Sequence, residues 1–287
     1  MDTACSVINF RLTKHAIGDK RGLKMTSKSQ IKIKDNLESL SEAAIEILIK
    51  TARECINGKG RFVVAISGGS TPRTMHRMLT KGPYWSDIPW KNTHIFWVDE
   101  RCVPQGHPDS NYGTAGKDFL TQVPISRENI HPMNGEAPPE AGALKYQDEL
   151  RDFYQLEHGD FPIFDLVFLG MGADGHTASL FPHQKVLDEG ERWVVAVKGG
   201  APYVSRLTMT FPVLNNAGQV VFLISGKKKA PTVKNIFDKN DILLPVQRIR
   251  PYFGELMWIL DREAASLLPM SRDGKGRGRW SGNKKQA

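Results

Sequence analysis

The sequence predicts an α/β fold: a doubly wound, mostly parallel sheet with helices on both faces, a Rossmann-like three-layer sandwich. Three observations lead to it. Short runs made almost wholly of apolar residues recur between residues 61 and 260, too unbroken for strands with one wet face. Segments of helical character alternate with them. Several runs also stop abruptly in loops rich in glycine, hydroxyl or charged residues, the composition of the ligand-binding edge of such a sheet.

Taken in order, residues 37–56 set Leu37, Leu40, Ala44, Leu48, Ala52 and Cys55 at three- and four-residue steps, an amphipathic helix expected to end at Asn57 and Gly58. Residues 61–66 follow as a buried strand, and Ser67-Gly-Gly-Ser-Thr-Pro72 leads into a second helix. Strand, glycine-hydroxyl loop and helix in that order cradle phosphate oxygens through backbone N–H groups and hydroxyls. The loop lacks the Gly-Lys-Ser/Thr ending that grips a nucleotide with Mg²⁺, so a sugar phosphate is the better expectation. The strand 94–98 opens directly into Asp99-Glu-Arg-Cys-Val-Pro104, placing charged side chains at the binding edge. Residues 107–112 read as a loop before an Asn-capped helix, 123–145 as a surface excursion rich in Pro, Gly and Glu, and 144–156 as helix. Cys102 lies near this region, but no neighbouring residue type identifies a base for it, so it reads as a bystander thiol.

Residues 165–182 are the centre of the chain. An apolar run ends in glycines and a short helical beginning follows, so a buried strand delivers a tight loop and sets His176 at a helix N-terminus. Gly170, Gly172 and Gly175 match G-x-G-x-x-G. The dinucleotide reading also requires an acidic residue at the end of the next strand; that strand is expected at 193–197, and Lys198 follows it. What remains is a turn whose outward N–H groups suit an anion or a developing oxyanion, with Asp174 and His176 projecting into it. The positive end of a helix disfavours imidazolium, so His176 is expected to be neutral near pH 7 and able to accept a proton from water. A plain capping role is the alternative. Further strands are expected at 194–197, 219–224 and 256–260. A turn at 199–202, the segment 206–212 and the lysines of Ser225-Gly-Lys-Lys-Lys-Ala230 lie between them, and a helix at 261–265 closes the domain.

The string Gly170-Met-Gly-Ala-Asp-Gly-His-Thr-Ala-Ser-Leu-Phe-Pro182 resembles the signature of the 6-phosphogluconolactonases, a group that also contains glucosamine-6-phosphate isomerases and deaminases. Four further segments agree in order: the 67–72 loop, Asp-Glu-Arg-x-Val-Pro at 99–104, Arg-x-Thr-x-Thr from Arg206, and Ser-Gly-x-x-Lys-Ala ending at Ala230; Asp109-Ser-Asn111 has a supporting place. The resemblance implies that Gly68, Gly69, Ser70, Thr71 and Gly172 line a substrate site. It assigns Arg101 to substrate phosphate or carboxylate and Arg206 and Lys229 to phosphate, with Lys227 and Lys228 close enough to leave the choice among the three lysines open. The implied reaction is hydrolysis of 6-phosphogluconolactone to 6-phosphogluconate in the oxidative pentose phosphate route. His176 would deprotonate the water and Asp174 would orient it, with Asp99 counted in the catalytic set; N–H groups of the 170–175 turn or Arg101 would stabilise the oxyanion. The scheme calls for no metal or organic cofactor. Relatives that deaminate glucosamine 6-phosphate typically continue Gly-His with Ile-Ala-Phe-Asn-Glu and carry Asp-Glu-Tyr, where this chain has Thr177-Ala-Ser-Leu-Phe181 and Arg101. A non-catalytic sugar-phosphate-binding regulator could dispense with the base, which the intact Asp174-Gly-His176 opposes.

The 287 residues are 40% hydrophobic, enough for one core, and carry a net charge of +8. That charge sits at the ends. Residues 1–36 hold eight Lys/Arg against three Asp/Glu and residues 272–287 hold six against one, so each end contributes +5 and the body between is −2. The expected division is therefore a basic N-terminal extension at 1–34, a single α/β domain at 35–270 and a basic Gly/Arg/Lys tail at 271–287. A nucleic-acid partner is not expected from an acidic body. Cys5, Cys55 and Cys102 in unpaired spacing point to a reducing compartment without a disulfide framework. No apolar stretch approaches the length of a membrane span. The expectation is a cytoplasmic monomer or homodimer acting on a small sugar-phosphate lactone.

Overall fold

The computed structural model describes residues 29–157, 159–238, 244–272 and 278–280, so most of both basic ends lies outside it. The chain starts on the sheet: β1 (Ser29–Lys34), placed by charge in the N-terminal extension, pairs with the last strand of the main sheet. Helix α1 (Leu37–Lys59) is capped by Asn36, whose Oδ1 accepts from Ser39 N at 2.9 Å, and it buries Leu40, Ala44, Leu48 and Ala52 along one stripe. It runs past the expected stop at Asn57 and Gly58. Gly60, in the left-handed conformation at φ 79°, closes it by donating to Ile56 O at 2.9 Å.

Strand β2 (Phe62–Ile66) is buried at every position, and α2 (Ser70–Met78) follows after a three-residue loop. A short α3 (Tyr84–Asp87) precedes β3 (Thr93–Trp97). Beyond Val98 the chain continues as β4 (Asp99–Arg101) in a different sheet. Val98 is the crossing point: its N–H donates to Ile66 O in the first sheet at 3.0 Å, while its carbonyl accepts from Met209 N at 2.8 Å in the second. Helix α4 (Asn111–Ala115) is capped by Ser110 rather than by Asn111, since Ser110 Oγ accepts from Gly113 N at 3.0 Å. After β5 (Ile130–His131) comes α5 (Pro139–Tyr154), which begins five residues before the expected helix, with Pro139 at a position where a missing N–H costs nothing.

Strand β6 (Leu166–Leu169) carries the central turn. β7 (Val194–Gly199) and β8 (Val204–Met209) then form a hairpin, followed by α6 (Phe211–Asn215), β9 (Gln219–Ile224), α7 (Ala230–Phe237) and β10 (Glu255–Asp261). The closing helix expected at 261–265 is absent. Turns occupy those positions, with Asp261 Oδ1 accepting from Ala264 N at 2.7 Å. β11 (Met270–Arg272) and β12 (Gly278–Trp280) make a separate antiparallel ribbon.

The main sheet has the order β1-β10-β9-β6-β2-β3-β5 and is parallel throughout, so the doubly wound fold class holds. The chain builds outward from β2 through β3 to β5, then returns to β2's other side and builds through β6, β9 and β10. The order therefore reverses between β2 and β6, and the crevice at their carboxyl ends is the switch point where such sheets bind ligands. A second, antiparallel sheet of order β4-β8-β7 is an addition to the expected architecture. The strand foreseen at 194–197 belongs to it and not to the parallel sheet. Helix α5 ties the two sheets together: Tyr146 Oη accepts from Trp97 N at 2.9 Å and donates to His131 O, and Gln147 Oε1 accepts from Trp193 N at 2.8 Å.

Candidate active site

A cleft of about 190 Å³ opens at the carboxyl ends of β2 and β6. Gly68, Gly69, Ser70, Thr71, Asp99, Arg101, Gly172, His176, Arg206 and Lys229 all border it. Asp174 stands behind His176. Of the three adjacent lysines, Lys229 alone lines the cleft.

The turn after β6 is not the start of a helix. Residues 171–182 form successive tight turns, with Leu180 N donating to Thr177 O at 2.9 Å and Gly172 N to His176 O at 2.9 Å. The helix-dipole account of a neutral His176 therefore fails, because there is no helix there. A side-chain partner replaces it: His176 Nδ1 lies 2.6 Å from Asp174 Oδ1. Hydrogen bonding by His176 holds the Asp174 carboxyl below its usual range, against the opposing effect of burial. An ionised carboxylate only accepts, so Nδ1 carries the hydrogen of this bond and Nε2 is the ring nitrogen that Asp174 leaves unengaged. The ring packs on Phe181 with centroids 4.7 Å apart. Gly172 makes this possible: a Cβ there would lie 2.0 Å from His176 Nδ1 and 2.3 Å from Asp174 Oδ1.

Cations gather in the same cleft. Arg101 and Arg206 are register partners across β4 and β8. Arg101 Nη1 donates to Asp109 O at 2.6 Å, while Arg206 Nε donates to Gly199 O at 2.9 Å and Nη2 to Pro202 O at 3.2 Å. Burial, and then the nearby Arg101 charge, lower the pKa of Arg206, which is 4% exposed. Two guanidiniums held this close by neutral carbonyls leave positive charge that an anion would neutralise. Lys229 is likewise lowered by burial, with Asp174 acting in the opposite direction. The first turn of α2 adds uncapped N–H groups, since Gly69 offers no side chain to satisfy them.

Asp99 is buried with two neighbours: Ser179 Oγ donates to its Oδ2 at 2.6 Å, and Asn111 Nδ2 reaches its carbonyl at 2.8 Å. The sequence reading missed the next residue. Glu100 is 2% exposed and accepts from four donors: Arg101 N at 2.7 Å, Asn111 N at 2.7 Å, Tyr112 N at 2.8 Å and Ser110 Oγ at 3.1 Å. It holds the 109–112 segment against β4, and that segment supplies both the carbonyl that orients Arg101 and the Asn111 amide. Asn111 also packs on the loop between β2 and α2, where a Cβ at Gly68 would fall 1.8 Å from its Oδ1. The only sequence signal was an acidic residue between two site residues, and three of its four donors lie ten to twelve positions away. Cys102 is pushed up to about 11 by burial, which leaves it a poor nucleophile.

The model of the family described as glucosamine-6-phosphate isomerases/6-phosphogluconolactonase matches residues 35–258. The chain belongs to this family. Among relatives, it is 41% identical over 243 residues to a 6-phosphogluconolactonase of Synechocystis, covering 83% of this chain and 98% of that one. It is 36% identical over 248 residues to the chloroplastic 6-phosphogluconolactonase 3 of Arabidopsis thaliana, covering 84% and 76%. The solved 6-phosphogluconolactonase of Trypanosoma cruzi superposes with a TM-score of 0.75 at 27% identity, covering 85% of this chain and 98% of that one. The family match spans β2, β6 and every residue that borders the cleft.

Proposed function

We propose that the chain hydrolyses 6-phospho-D-glucono-1,5-lactone to 6-phospho-D-gluconate, with His176 as the general base. It is an enzyme, a hydrolase acting on a sugar-phosphate lactone, as its family membership and its 36–41% identical relatives support. One observation carries the finer reading: an imidazole oriented by Asp174 borders a cleft together with Arg101, Arg206 and Lys229.

In this reading the phosphate is held by the cations and the loop at 68–71, leaving the lactone carbonyl near His176. Nε2 takes a proton from water as the oxygen adds to C1. The imidazolium that forms is stabilised by Asp174. N–H groups of the 170–175 turn or Arg101 receive the oxyanion. Collapse breaks the bond from C1 to the ring oxygen, and the imidazolium returns its proton to that oxygen, so the ring opens to the acid with no net change at the enzyme. Asp99 is read as fixing this wall of the site through Ser179 and Asn111. The scheme draws on no cofactor. We read the catalytic unit as one α/β domain beginning at β1, working in the cytoplasm as a monomer or homodimer. Among the described residues no helix is long and apolar enough to cross a membrane.

The test is hydrolysis of freshly generated lactone above its spontaneous rate. His176→Ala is expected to lose at least ~100-fold in kcat. A fast mutant would remove His176 from the mechanism, and a wild type at background would remove the reaction.

A further inference from the structure

Four buried side-chain atoms among the described residues lack any hydrogen-bond partner: Ser67 Oγ, His76 Nε2, Arg101 Nε and Tyr154 Oη. Buried polar groups are normally paired, so each exception requires a reason. His76 and Tyr154 belong to aromatic packing, His76 against Phe119 at 4.9 Å and Tyr154 against Phe153 at 5.0 Å, and neither borders the cleft. Ser67 and Arg101 both do. Arg101 already has a role there; Ser67 has none.

Ser67 is 5% exposed and is the first residue beyond β2. The pairing of Val64 with Leu166 and Ala65 with Val167 carries Ser67 to the level of Leu169, directly before the turn that bears His176. On its other side Ile66 O receives Val98 N, which brings Asp99 and Arg101 alongside. Ser67 thus lies in the switch-point crevice at the carboxyl end of β2 and borders the same cleft as His176, Arg101, Arg206 and Lys229. A ligand that reaches both His176 and the cations must occupy the cleft that Ser67 borders. A serine hydroxyl can donate and accept at once and turns about a single side-chain bond, so it suits a sugar oxygen better than a fully charged phosphate.

We propose that Ser67 is a substrate-binding residue whose hydroxyl bonds an oxygen of the sugar body of the phosphorylated lactone. The inference rests on the sugar-phosphate reading of the cleft. It also accounts for the missing partner: the hydroxyl is unpaired within the protein because the ligand completes it. Binding and folding then make opposite demands on this atom, since a buried hydroxyl without a partner weakens the free protein.

The deciding variant is Ser67→Ala, read by three measurements. KM for the lactone and Kd for 6-phosphogluconate, by calorimetry, are expected to rise about tenfold, the worth of one hydrogen bond in a desolvated site. Kd for inorganic phosphate is expected to stay within about twofold, and Tm to be unchanged or higher. A lower Tm would mean that the hydroxyl has a partner inside the protein and would overturn the proposal. So would unchanged KM and Kd, or an equal loss for inorganic phosphate, which would move the contact from the sugar to the phosphate. A wild type that binds 6-phosphogluconate yet leaves the lactone at its background rate would overturn the reaction without touching Ser67, whose role is read from binding.

Discussion

Gly172→Ala adds one carbon in the space occupied by the Asp174 and His176 side chains, the pair proposed as the base and its orienting carboxylate. That carbon would stand 2.0 Å from His176 Nδ1, 2.2 Å from Cε1 and 2.3 Å from Asp174 Oδ1. Non-bonded heavy atoms settle at about 3.5 Å, so imidazole and carboxylate must together retreat by more than about 1 Å. They can do so at little cost to folding: both are side-chain ends, 30% and 52% exposed, and the added Cβ meets no backbone closer than these atoms. Gly172 is not among the residues with positive φ, so the substitution strains no dihedral. The chemistry bears the loss. A shift of about 1 Å in a reacting group costs roughly 100-fold, so kcat for lactone hydrolysis should fall by about that factor. Binding of 6-phosphogluconate should stay within about threefold and Tm within about 3 °C, since the cations and the core are untouched. The assay is continuous lactone hydrolysis near neutral pH, with calorimetry for the product and a thermal melt. A kcat within threefold of wild type would refute the reasoning, because it would mean that the pair can be displaced without consequence and is not the base.

Glu100→Gln keeps the shape of the side chain but turns one acceptor into a donor facing N–H and O–H groups, which weakens the three hydrogen bonds that hold residues 110–112 to β4. Because Arg101 is oriented through Asp109 O, KM should rise roughly tenfold while kcat changes less than about threefold; a fall in kcat alone would contradict a positioning role. His76 is buried, and burial lowers its pKa from 6.5 to about 4, with Asp118 and Arg73 acting in opposite directions. The unfolded chain therefore takes up a proton near pH 6.5 that the folded protein refuses until about pH 4. Its contribution to stability is complete above pH 6.5 and declines as pH falls toward 4, by about 2 kcal/mol at pH 5. His76→Phe, which preserves the packing on Phe119, should reduce the difference in Tm between pH 7.5 and pH 5 by several degrees; an unchanged difference would show that His76 carries none of the acid sensitivity.

The sequence by itself determined the parallel core and named residues that border the cleft. Buried strands announce themselves because both faces of a parallel sheet are covered, which leaves runs such as 62–66 and 220–224 without polar residues. The loops beyond them are legible because a tight approach to phosphate demands glycine and hydroxyl residues wherever it occurs. Asp174 and His176 could be paired in the sequence because they are two positions apart. Tertiary structure alone decided what depends on contacts across long separations. Glu100 looks like a solvated charge until residues 110–112 fold back onto it. The second sheet was invisible because β4 continues β3 without a break and changes partners at Val98, a choice set by β8 more than a hundred residues later. The helix expected after Gly175 fails to form because the short polar residues that begin a helix also suit tight turns, and the contacts of Thr177 and Ser179 with Gly170 and Asp99 settle the outcome. Ser67 reads as an ordinary loop serine, and only the packing around it shows that its hydroxyl has been left without a partner beside the cleft.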